Sequence, residues 1–127
     1  MARVLIVDDA IFMRRMLSDI VRGAGHEVAG EAGDAIEAIK KYEELRPDVV
    51  TMDIVMPRQG DMDGMGALKR ILEIDPAARI VMVSALGQQE TVLEAIRIGA
   101  KDFIVKPFLE ENVVKAIDRV AKEAERA

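Results

Sequence analysis

Four short apolar runs each end in a side chain that can do chemistry. Asp8 and Asp9 follow Val4 to Val7, Asp53 follows Val49 to Met52, Ser84 follows Ile80 to Val83, and Lys106 follows Phe103 to Val105. If the runs are neighbouring strands of one open α/β sheet, these residues meet at the edge beyond the strands' carboxyl ends, where such sheets bind ligands. Three carboxylates converging on a small space repel one another, so they need raised pKa values or a cation between them. With oxygen ligands only and neither His nor Cys nearby, Mg2+ is the cation such a set favours. It would neutralise an incoming phosphate, Lys106 would add a compact positive charge and Ser84 a hydroxyl donor. A carboxylate can itself attack phosphorus and form an aspartyl phosphate.

Taken singly, each residue has a plainer use. Asp8 or Asp9 would cap a following helix, Asp53 would lead the turn toward Pro57, Ser84 would serve as a cap or turn hydroxyl, and Lys106 would be a solvated charge. The argument for a site rests on their conjunction at four strand ends.

The elements that must position them follow from the pattern. The four runs are short, rich in β-branched residues and without strict alternation, as strands buried on both faces are. A weaker strand is expected over Glu27 to Glu31. Between the strands, Phe12, Met13, Met16, Leu17, Ile20 and Val21 form one helical stripe, and Ile36, Ile39 and Tyr42 another. Gly64 to Ile74, Gln88 to Ile98 and Glu110 to Ala124 predict three more helices, the last with Val113, Ile117, Val120 and Ala124 on one face. Strand and helix alternate five times, which predicts a parallel, doubly wound (βα)5 sheet with helices on both faces.

The chain has 127 residues, is 50% hydrophobic and carries a net charge of −5. That size suits a single domain over residues 1–127, and the charge gives no footprint for nucleic acid. With no cysteine, disulfides and thiolate metal sites are excluded. The N-terminal apolar run is too short for a signal or a membrane span, so a cytoplasmic protein without a membrane partner is expected. His26 follows Gly23-Ala24-Gly25 in the turn before the second strand, on the edge opposite the acidic residues, and is read as a surface-loop residue. The methionines read as packing residues, although Met56 and Met62 flank the site.

The segments Arg3 to Asp9, Val50 to Pro57, Ser84-Ala85 and Gly99 to Phe108 resemble the receiver domains of response regulators, above all the stand-alone receivers of chemotaxis. The likeness covers essentially the whole chain. It implies a flavodoxin-like sheet in the order 2-1-3-4-5, with Asp53 as phosphoacceptor. It also implies Mg2+ held directly by Asp9, Asp53 and the Val55 carbonyl, with Asp8 acting through water. Lys106 would contact the phosphoryl group, Ser84 would draw toward it, Phe103 would rotate into the space vacated, and the Lys106-Pro107 bond would be cis. The implied donor is a phosphohistidine on a sensor histidine kinase. The implied reader is a flagellar or archaellar motor protein or adaptor, docking on the face built from the fourth helix, fifth strand and fifth helix, with the receiver itself a monomer. The protein would be a signalling switch rather than a turnover enzyme.

Two departures from the family pattern stand out. Arg58 to Asp61 occupy the place of one residue between Met56-Pro57 and Met62-Asp63-Gly64, so the loop after the third strand is longer. That loop lies beside the pocket, and Arg58 or Asp61 would alter metal affinity or kinase docking if it is more than a tolerated insertion. Val55 and Leu86 are apolar at two positions that in this family influence how water reaches the phosphoryl group, which predicts slow self-catalysed dephosphorylation. Three other functions were weighed. A phosphorelay carrier would share the pocket and differ in its docking face. A phosphatase of the haloacid dehalogenase type would need a second Asp where Val55 stands. A flavin protein would need a phosphate-cradling loop where Asp8-Asp9-Ala10 stands.

Overall fold

The structure, a computed structural model, describes residues 1–56 and 62–126. The Arg58 to Asp61 segment and Pro57 therefore lie outside the described residues. Strand and helix alternate as β1 (Arg3–Val7), α1 (Ile11–Gly23), β2 (Glu27–Ala32), α2 (Ala35–Leu45), β3 (Val49–Met52), α3 (Gly64–Ile74), β4 (Ile80–Ser84), α4 (Gln89–Ile98), β5 (Asp102–Val105) and α5 (Glu110–Arg126). The five strands form one sheet in the order β2-β1-β3-β4-β5, and every pairing is parallel.

The unbroken apolar runs acquire their meaning here. Successive strand residues point to opposite faces. Leu5, Val7, Val50, Met52, Ile80 and Met82 enter one core, under α2, α3 and α4. Val4, Ile6, Val49, Val81, Val83 and Ile104 enter the other, under α1 and α5. A strand needs no polar face when both faces are covered. The chain leaves β1 toward β2 on one side and later adds β3 on the other, so the strand order reverses between β1 and β3. Asp8, Asp9 and Asp53 sit at the carboxyl ends of those two strands.

Three details of the sequence reading are corrected. In α2 the buried residues are Ala35, Ala38 and Tyr42, while Ile36 is exposed. The small alanines, not the isoleucine, bring the helix against the sheet. In α1 the stripe sinks only from Leu17 onward, and Phe12 is 74% exposed, because the first turn begins beyond the last residue of β1. His26 is not a surface side chain. Its ring is only 8% exposed, with Nδ1 accepting from the Ala2 N–H at 2.9 Å and Nε2 2.7 Å from Asp118 on α5. Since Nδ1 accepts, Nε2 carries the proton and donates to the carboxylate. Gly25, at φ 86°, makes the turn that delivers it.

No helix among the described residues is long and apolar enough to cross a membrane.

Candidate functional site

Asp8 and Asp53 are each carried to the sheet edge by one further backbone bond past their strands. Asp8 N–H donates to the Ala32 carbonyl at 3.0 Å and Asp53 N–H to the Val7 carbonyl at 3.0 Å. On the other side, Lys106 N–H donates to the Ser84 carbonyl at 2.9 Å. Lys106 is thereby aimed back across the sheet. Its Nζ lies 2.6 Å from Asp8 Oδ2 and 3.1 Å from Asp53 Oδ2. Asp8 and Asp53 are buried and Asp9 is exposed, and one carboxylate oxygen from each lies within 4.8 Å of the others.

The plain capping role for Asp8 and Asp9 does not hold. The N-cap of α1 is Ala10, without a side-chain cap bond, whereas α2 and α3 are capped by Asp34 and Asp63 in the usual way. Asp8 uses Oδ1 to accept from the Ala10 N–H at 2.9 Å, so both its oxygens are engaged. Asp9 has no side-chain hydrogen bond among the described residues. Asp53 accepts from Lys106 on Oδ2 and, at 3.3 Å, from the Val55 N–H on Oδ1.

Burial alone would lower the Lys106 pKa, but the hydrogen bonds it donates to Asp8 and Asp53, with their charges, outweigh it and hold the ammonium above the ordinary lysine value. Lys106 is therefore charged at neutral pH. Among the described residues one cation faces three carboxylates, and an all-oxygen donor set with an excess of acidic groups suits a hard divalent ion. The residues present fit Mg2+ on donor chemistry and on spacing.

The remaining expected residues are placed less tightly. Ser84 is fully buried, its Oγ accepting a long bond from the Leu86 N–H at 3.3 Å and making none to the carboxylates. Phe103 is half-buried against the core beneath α2, α3 and α4, outside the carboxylate cluster. Val55 is 55% exposed beside Asp53. The Lys106–Pro107 peptide bond is cis.

Three residues at the site escaped the sequence reading. Gly64 opens α3 directly against the Asp53 segment: a Cβ there would lie 1.8 Å from the Asp53 carbonyl oxygen, and its N–H donates to the Ile54 carbonyl at 2.9 Å. Only glycine admits that approach. Arg14, largely buried, pairs with the half-exposed Glu31 and reaches the Asp8 backbone carbonyl. Gly64 lies within a motif already noted in the sequence, whereas an arginine on a helix otherwise reads as surface charge.

Residues 4–118 match the response regulator receiver domain. This chain belongs to the response-regulator receiver family. The receiver is 60% identical to the chemotaxis protein CheY of Thermotoga maritima over 120 residues, covering 94% of this chain and 98% of the relative. It is 52% identical to CheY of Listeria monocytogenes over 122 residues, covering 96% and 100%. Among solved structures, the CheX-CheY-BeF3-Mg2+ complex from Borrelia burgdorferi superposes with a TM-score of 0.88 at 40% identity, covering 93% of the receiver and 87% of that chain. Within the family, then, the receiver's similarity is to chemotaxis response regulators.

Proposed function

We propose that this receiver is a chemotaxis response regulator that takes a phosphoryl group on Asp53 and changes the partner it binds. The observation that carries the reading is the single Lys106 ammonium bridging buried Asp8 and Asp53, with Asp9 beside them. A buried carboxylate nucleophile next to a fixed cation is what charge-stabilised phosphoryl transfer requires.

Asp9, Asp53 and the Val55 carbonyl would hold Mg2+, with Asp8 contributing through water. Asp9 with its unengaged oxygens, against Asp8 with both engaged, supports that division. When bound, Mg2+ would neutralise charge on the entering phosphoryl group. An Asp53 oxygen attacks phosphorus, the phosphorus–nitrogen bond of a phosphohistidine breaks, and the imidazole leaves with the electron pair and takes up a proton. Lys106 meets the phosphoryl oxygens, and the Ser84 hydroxyl, which now only accepts, is available to donate to them. Water later attacks the phosphorus of the acyl phosphate, the phosphorus–oxygen bond to Asp53 breaks, inorganic phosphate leaves, and Asp53 is again a carboxylate.

The phosphorylated arrangement is favoured because the phosphoryl group has partners in it that the resting arrangement lacks. Phe103, packed but not fully buried, can follow Ser84. The face made by α4, β5 and α5 exposes Leu93, Ile96 and Val105, and we assign it to a motor-switch or adaptor protein. The donor is a CheA-like sensor histidine kinase. The receiver acts as a switch rather than a turnover enzyme.

Incubation with acetyl phosphate and Mg2+, followed by mass spectrometry, tests the central claim. The parent should gain one acyl phosphate, on Asp53, and Asp53→Asn none. Equal labelling of the two would refute it.

A further inference from the structure

We infer that Arg14 is a positioning residue for the acidic pocket, fixing the peptide between Asp8 and Asp9, and that Glu31 fixes Arg14 in turn. The inference rests on the metal reading given under the proposed function. Arg14 Nη1 donates to the Asp8 carbonyl at 2.6 Å, and Nε donates to Glu31 Oε1 at 3.1 Å. That carbonyl belongs to the peptide unit whose nitrogen is Asp9. A bond to it sets the plane from which both carboxylates extend.

The need is specific to this point in the chain. The Asp8 N–H still reaches the Ala32 carbonyl of β2, but no backbone N–H among the described residues reaches the Asp8 carbonyl. The acidic pair thus begins where the ladder stops. Arg14, one turn into α1 with its side chain 18% exposed, fills the vacancy with a charged donor, a stronger tether than a neutral one. The guanidinium fork bonds the carbonyl and Glu31 at once, which an ammonium on a flexible stem does not do equally well. Glu31 is itself held, since Lys41 of α2 bonds its carbonyl. The chain of contacts runs from α2 through edge strand β2 and α1 to the Asp8 carbonyl, and Arg14, Glu31 and Lys41 themselves bond neither Asp53 nor Lys106.

Partners of metal ligands that act from behind the ligands commonly change metal affinity about 10- to 100-fold when lost. Titration calorimetry with MgCl2 on parent, Arg14→Met, Arg14→Lys and Glu31→Gln, with thermal melts of each, tests the idea. Tyr42→Phe, at the opposite end of the helices, controls for lowered stability as such. Arg14→Met should bind Mg2+ about tenfold more weakly, Arg14→Lys and Glu31→Gln should fall between it and the parent, and Tyr42→Phe should bind as the parent does. At saturating Mg2+, the acetyl phosphate reaction of Arg14→Met should return close to the parental rate. Equal Mg2+ affinity in parent and Arg14→Met, with only a lower melting temperature, would overturn the proposal and leave the metal reading standing. A parent that binds no Mg2+ would overturn both. Should Arg14→Met not fold, Arg14→Lys and Glu31→Gln decide the matter by the same comparison.

Discussion

Replacing Lys106 with methionine keeps the stem and removes the ammonium that lies 2.6 Å from Asp8 and 3.1 Å from Asp53. Two buried carboxylates then face each other, with Asp9 alongside and no internal cation. Breaking a buried ion pair by deleting one partner costs about 3–5 kcal/mol. Lys106 retains some exposure, so water and Asp9 relax part of the strain, and about 2–3 kcal/mol is expected for the metal-free protein at pH 7. With a urea dependence of about 1.5 kcal/mol/M, the unfolding midpoint should drop by about 1.5–2 M in EDTA. The deficit should shrink on adding Mg2+, which stabilises the variant by binding only its folded form. It should shrink at alkaline pH as well. The folded pKa of Lys106 is raised, so its stabilisation is fully present below the ordinary lysine value and lost as pH rises through the folded one. The parent should therefore lose stability above about pH 10.5 relative to Lys106→Met. A midpoint in EDTA within about 0.3 M of the parent's would refute the view that this ammonium holds the carboxylates together.

Val55→Asn places a hydrogen-bonding side chain at an exposed position beside Asp53, and loss of the acyl phosphate, followed after removal of acetyl phosphate, should quicken about tenfold. A parent that loses phosphate within seconds, with Val55→Asn no faster, would show that reasoning to be wrong. Gly64→Ala drives a methyl into the Asp53 carbonyl, and should cost about 2–3 kcal/mol in urea unfolding while slowing acetyl phosphate labelling. Thr51 Oγ1 is buried without a hydrogen-bond partner among the described residues, so Thr51→Val should stabilise by about 1 kcal/mol, read as a higher melting temperature. Tyr42 donates to Asp75 at 2.7 Å, and that bond, above the other contacts, lowers the Asp75 pKa. The associated stability is present above the ordinary carboxylate pKa and lost as pH falls through the folded value, so Tyr42→Phe should raise the Asp75 pKa in a carboxyl NMR titration.

The strands were legible because burial on both faces writes continuous apolar runs, and alternation with helices leaves a parallel sheet as the simple solution. The pocket was legible because its parts sit at strand ends, where topology alone brings Asp8, Asp9, Asp53 and Lys106 to one edge. What could not be read depends on which helix face meets the sheet and how closely. Ile36 is the more hydrophobic residue, yet Ala35 and Ala38 are buried because a small side chain lets α2 lie nearer the strands. The partners of His26 lie 24 and 92 residues away, at the chain start and on α5, and no local pattern announces them. Arg14 is hidden for a related reason. Its target is a backbone carbonyl, which has no residue type to notice.

The resting pocket also explains why a signal written on Asp53 would be read on the β4 and β5 side of the sheet. Among the described residues Lys106 is the one cation paired with these carboxylates, so the ammonium that bonds Asp8 and Asp53 at rest is also the one that would be available to a phosphoryl group. It cannot serve both fully, and a phosphoryl group on Asp53 must draw it off at least one carboxylate. Lys106 is not free to move alone, since its N–H holds the Ser84 carbonyl at 2.9 Å. The two groups that would answer the phosphate on the proposed reading are therefore joined through one backbone bond between the same two strand ends. Phe103 lies three residues before Lys106, on the strand whose Val105 is 44% exposed. β1 and β2 carry a backbone link of the same kind, Asp8 N–H to the Ala32 carbonyl at 3.0 Å, but there the Asp8 carbonyl is also held by Arg14. The acidic side thus has a guanidinium brace in addition to its backbone link, and on the proposed reading a phosphoryl group on Asp53 would act chiefly through Lys106.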